Sequence, residues 1–216
     1  MSGELSGERT TNNTNIPIAY EHYSKGQTIP FTQSLLDAAT SGGVWMATTA
    51  QNPQSVKDVF MFNSAVDAMS FYETHKNAIN LNNTALISVG SLAKENQFLG
   101  IVERFPDAQY HTAFNNNLLG QLSTIAIVSA ASIGPVKFET TDKNSITFST
   151  YYDKFTMPIK DINLLSFKEK AHIKDHSISY DLDKIKIHHP QGQTYNADLV
   201  QNKQMEKQEQ YRGMRL

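Results

Sequence analysis

The sequence predicts an α/β fold: a parallel sheet with crossover helices, and a β-hairpin addition on its C-terminal side. Three observations predict it. Between residues 59 and 131, apolar runs of strand length alternate with segments of helical periodicity. Polar or glycine-containing connections separate them, and these are short. After Gly134-Pro135 the pattern changes from helical to alternating.

The elements follow in order. Residues 31–39 (FTQSLLDAA) read as a short helix and 44–46 (VWM) as a short strand, with Trp45 in the core. Residues 59–62 (VFMF) form a continuous apolar run, as in a strand covered on both faces. Ser64 caps the next helix, over 65–76, whose positions Ala65, Ala68, Met69 and Tyr72 share one face. Residues 85–89 (ALISV) are the second strand, closed by Gly90-Ser91. Residues 92–105 carry helical spacing until Pro106. Residues 110–114 are the third strand and end at Asn115-Asn116-Asn117. Residues 118–131 read as a helix that is apolar on most of its surface. Alternation over 136–140 and 145–151 predicts a hairpin. Residues 155–159 extend it as an edge, because Pro158 lacks an amide proton. Residues 162–170 read as a short helix or irregular chain. Residues 201–212 could be helical but lack an apolar face.

The organisation expected is a disordered N-terminus at 1–15, one α/β domain at 16–187 with its core at 56–135, and a flexible polar tail at 188–216. A formal charge of −2 gives no overall pull toward nucleic acid, so any such contact needs a local basic patch. The absence of cysteine excludes disulfides, thiolate metal sites and thiol catalysis. No leader-like segment and no membrane-length apolar run is legible, which leads us to expect a cytoplasmic location and no membrane partner.

In parallel sheets, sites form beyond the carboxyl ends of the strands. Here those ends are Asn63-Ser64, Gly90-Ser91 and Asn115-Asn116-Asn117, which the fold should bring together. With Asp67, one turn into the first helix, they are the candidate binding residues.

These segments also carry a resemblance. The stretch VFMFNSAVDAMSFYE at 59–73, with Ser64, Asp67, Ala68, Ser70 and Tyr72, resembles the first motif of toprim domains in primase-like proteins of bacterial mobile and conjugative elements. ALISVGS at 85–91 resembles the family's second strand and glycine turn. YHTAFNNNLLGQ at 110–121, with Gly120, resembles its third motif. The resemblance covers about a third of the chain and implies a toprim-like sheet. It implies a glutamate acid/base at position 63, and magnesium-binding aspartates at positions 115 and 117. This chain has Asn63, Asn115 and Asn117 there.

Carboxamides carry no charge for a hard cation and have no protonation step near neutral pH. Catalytic residues, metal and cofactor are therefore all expected to be absent, and Asp67 alone does not make a magnesium site. Amides can instead donate to phosphates or base edges, or simply cap the following helices.

The expected function is that of a catalytically degenerate, nucleic-acid-associated or interaction module in a mobile-element DNA-processing system, with nucleic acid or DNA-processing proteins as partners. An altered magnesium-dependent phosphotransferase and a purely structural interaction domain are the alternatives. Away from this centre, His172 and His176 have the spacing of one helix face, and His188-His189 are adjacent; both pairs read as surface residues. Lys168, Lys170, Lys174, Lys184 and Lys186, diluted by Asp175, Asp181 and Asp183, read as a solvated face. Ser64 lacks a base partner and a nucleophile-elbow context, so it reads as a cap.

Overall fold

A computed structural model describes residues 44–173 and 185–213. The expectations for residues 1–15, for the helix at 31–39, and for His176, Lys174, Lys184 and the aspartates between them lie outside these residues.

The fold is α/β, built on a mixed five-stranded sheet in the order β1-β3-β2-β4-β8. Its strands are β1 (Trp45–Ala47), β2 (Asp58–Phe62), β3 (Thr84–Ser88), β4 (Gln109–Thr112) and β8 (Ile185–Ile187). Helix α1 (Ala65–His75) joins β2 to β3, α2 (Glu95–Arg104) joins β3 to β4, and α3 (Leu118–Ser132) follows β4.

The β2–β3 and β2–β4 pairings are parallel, as the crossover pattern predicts, and β8, which the sequence did not predict, also pairs parallel with β4. The expectation of a wholly parallel sheet needs correction, because β1 pairs with β3 antiparallel. A strand this short, entering from outside the strand–helix repeat, leaves no directional signal in its sequence.

The chain leaves β2 toward β3 on one side and returns through α2 to β4 on the other. Right-handed crossovers in opposite directions put their helices on opposite faces. The side chains of β2 divide accordingly. Val59 and Met61 pack with Phe98 and Ile101 of α2 and Ile127 of α3. Phe60 and Phe62 pack with Ala68 and Phe71 of α1 and with Tyr195.

The hairpin addition is a separate three-stranded antiparallel sheet, β5 (Lys137–Asp142), β6 (Ser145–Ser149) and β7 (Lys154–Pro158), followed by α4 (Leu164–Lys170). Pro158 ends edge strand β7, as its missing amide proton requires. Ile146, Phe148 and Met157 of this sheet pack with Phe167 of α4 against Leu122 and Ile125 of α3. Helix α3 thus lies between two cores, which explains why most of its residues are buried and its sequence is apolar all round.

The polar segment from residue 188 onward, expected to be a flexible tail, contains helix α5 (Tyr195–Gly213). The helix is exposed along most of its length, but its first residue, Tyr195, is buried among Phe62 and Phe71. One aromatic in a polar context is too weak a pattern to reveal that anchor. No helix among the described residues is long and apolar enough to cross a membrane.

Candidate functional site at the strand ends

The chain reverses its winding direction at β2, which makes the carboxyl ends of β2 and β4 the place where α/β sheets put their sites. Asn63 and Asn115 lie there, each about 2% exposed. Asn63 Oδ1 accepts the Asn115 backbone N–H at 2.8 Å. Asn63 Nδ2 donates to the Ser91 carbonyl at 3.0 Å and to Ser123 Oγ at 3.1 Å. Ser123 Oγ also accepts the Ala93 N–H at 3.1 Å. One side chain therefore ties the end of β2 to the loop after β3, the loop after β4 and helix α3.

Asp67 is the second hub. Ser64 Oγ donates to Asp67 Oδ2 at 2.6 Å and accepts the Asp67 N–H at 3.0 Å, so Ser64 is the helix cap that its position predicts. Asn115 Nδ2 donates to the same carboxylate oxygen at 3.2 Å. The other oxygen, Oδ1, accepts the Asn196 N–H at 3.2 Å. Asn115 Oδ1 has no hydrogen-bond partner among the described residues.

The remaining candidates divide. Gly90 turns the chain after β3 with φ of 84°, where a Cβ would be strained, and it is buried. Ser91 contributes its carbonyl. Asn116 is exposed and donates its N–H to the Gln193 carbonyl at 2.9 Å. Asn117 is exposed too; its Oδ1 accepts the Gly120 N–H at 3.0 Å and caps α3. Gly120 is obligatory there, since a Cβ would lie 1.8 Å from the Asn115 carbonyl oxygen.

Residues 188–196 form a strap across these strand ends, which the sequence did not reveal. The strap is held by the Asn116–Gln193 and Asp67–Asn196 bonds, by Ser70 Oγ to Asn196 Oδ1 at 3.2 Å, and by Tyr195. Asp198 shapes it by accepting the Gln191 and Gly192 N–H groups at 2.7 and 2.8 Å. Burial, then the carboxylates of Asp198 and Asp67, raises the Tyr195 phenol well above its ordinary pKa, so it stays protonated.

The magnesium implied by the toprim resemblance does not fit these residues. The amide oxygens of Asn63 and Asn117 already accept backbone N–H groups. Asn63 turns a nitrogen toward the Ser91 carbonyl, and Asp67 is the one carboxylate in the network. Among the described residues no group of three or more His, Asp or Glu is arranged to hold a metal ion.

His172 and His189 are exposed, as expected of surface residues, and His188 departs from that expectation. His172 is a turn residue with φ of 54° after α4. His188 is not a free surface residue: its Nε2 lies 2.9 Å from His111 Nδ1, and His111 Nε2 lies 2.9 Å from Asp58 Oδ1. His111 stacks on Phe60 at 4.1 Å. A histidine inside a strand of the sheet was the signal available for this group. Lys168 and Lys170 lie on α4 and Lys186 on β8, so the basic stretch spans two separate sheets' surroundings.

No protein-family model, curated protein or solved structure matches the chain.

Proposed function

We propose that the protein is a catalytically degenerate, toprim-like module. In this reading it serves a mobile-element DNA-processing system as a non-catalytic nucleic-acid-associated or interaction component. The observation that carries the reading is the use of both ends of the Asn63 amide. A carboxylate at this position would lose both donated bonds and face the Ser91 carbonyl with like charge. The position where the resemblance implies an acid/base thus requires an amide and works as a structural tie. The toprim part of the reading rests on the motif resemblance, together with the order of β3, β2 and β4 and the asparagines at their carboxyl ends.

The test is calorimetric titration of the full chain with Mg²⁺, paired with duplex DNA binding at about 50 and 200 mM salt. Expected are no saturable magnesium heat and no DNA cleavage or synthesis. Phosphate contact predicts DNA affinity that falls steeply between the two salt concentrations; its absence at low salt assigns the module to protein partners. A one-to-one magnesium isotherm with Mg²⁺-dependent turnover of DNA would overturn the reading.

A further inference from the structure

Asp58, His111 and His188 form a hydrogen-bonded chain on the α1 face of the sheet, apart from the strand-end network. It joins the starts of two structural commitments. His111 lies in β4, and His188 begins the strap immediately after β8. The His188 N–H also donates to the Thr112 carbonyl at 2.8 Å. β8 is a three-residue edge strand, so little else fastens this end of the strap.

We propose that the His111–His188 bond is an acid-released clasp, holding β8 and residues 188–194 over the strand ends until acidification frees them. The hydrogen-bond pattern dictates this behaviour. The Asp58 carboxylate can only accept, so His111 Nε2 carries a proton. The neutral His111 Nδ1 is then an acceptor, and His188 Nε2–H is the donor. One further proton goes to His188 Nδ1 and leaves the Nε2–H···Nδ1 bond in place. A second leaves both facing nitrogens protonated, with two cations 2.9 Å apart.

The surroundings add to that repulsion. Lys186 of β8 acts on both rings, and His189 and His75 of α1 act on His188. Asp58 of β2 is the opposing charge. Burial is the foremost cause holding both histidines below their ordinary value of 6.5, and at His111 Asp58 opposes it in part. The closed form therefore binds fewer protons than the open form. Closure is complete above about 6.5 and is lost as pH falls toward the depressed values. Tyr195 and the packing of α5 on α1 do not depend on these rings, so opening is local.

Native-state hydrogen exchange on the full chain between pH 8 and 5, corrected for intrinsic rates, tests the clasp. The reporters are the His188 and Asn116 amides, with the Val89 amide, bonded to the Phe62 carbonyl, as reference. Relative to Val89, protection of both reporters should fall below pH 6.5 by about tenfold per pH unit for each histidine that takes up a proton on opening. His188→Gln keeps an N–H donor but does not titrate, and should flatten the dependence. Asp58→Asn removes the charge that opposes burial at His111, so it should leave the onset near 6.5 and deepen the loss at lower pH. A pH-independent ratio in the unmodified chain, or an unchanged slope in His188→Gln, overturns the clasp. Should that variant fail to fold, imidazole ¹⁵N spectra of the unmodified chain still decide. Expected is a neutral Nε2–H tautomer at His188 whose charging accompanies the loss of protection. Titration of His188 with constant protection overturns the proposal.

Discussion

Asparagines at positions 63, 115 and 117 raise one question in the sequence but have different roles in the structure. Asn63 is a buried tie that uses acceptor and donor together. Asn115 bridges to Asp67, and Asn117 is an exposed helix cap. The sequence revealed where they would converge, because the strand ends follow from the strand–helix rhythm. Their roles were not legible, because those depend on Ser91, Ser123 and the strap, none of which periodicity places next to Asn63. The two positions should therefore respond oppositely to the same change. Asn63→Asp strips the donor from the Ser91 carbonyl and sets a buried carboxylate against it, and should cost about 3 kcal/mol. Asn117→Asp keeps the cap acceptor at a helix N-terminus and should be neutral or stabilising by about 0.5 kcal/mol. Urea denaturation of the two variants separates them; equal losses would contradict these roles.

At the scale of elements, β2 through α3 and the β5–β6 hairpin were legible because each is set by its own local period. The antiparallel entry of β1, the joining of β8 to β4 and the docking of Tyr195 were not. Each depends on partners far away in the chain, and the segments themselves are short or polar. Asp58 and His111 escaped notice for a related reason. They become a pair only when parallel register sets β2 beside β4. The close approach of α3 to the strand-end loop was signalled by a single residue. Gly120→Ala sets a methyl group 1.8 Å from the Asn115 carbonyl oxygen, which is backbone and cannot swing aside. The start of α3 must then move, at a cost of about 2 kcal/mol or more. A midpoint in urea within error of the unmodified chain would show that this approach is not tight.

At the scale of the whole molecule, α3 decides whether two sheets behave as one body. Its Ile127 belongs to the core of the five-stranded sheet, whereas its Ile125 belongs to the core of the three-stranded sheet. Neither sheet can lose the helix without exposing an apolar face. Unfolding of the described region should therefore be a single transition, despite the change of sequence pattern at Gly134-Pro135. Trp45 offers a probe confined to the larger sheet, being the chain's one tryptophan and packed beside β3. The methyl resonances of Ile146 report on the smaller sheet, where this side chain is fully buried. Both signals should change at the same denaturant concentration. Ile125→Ala, made in the smaller sheet's core, should lower that shared midpoint by an amount equivalent to about 3 kcal/mol. The tryptophan signal is the decisive one, since Trp45 does not belong to the core that the substitution damages. If Ile146 unfolds early while the Trp45 transition stays in place, α3 does not couple the sheets, and the two must be treated as separate folding units.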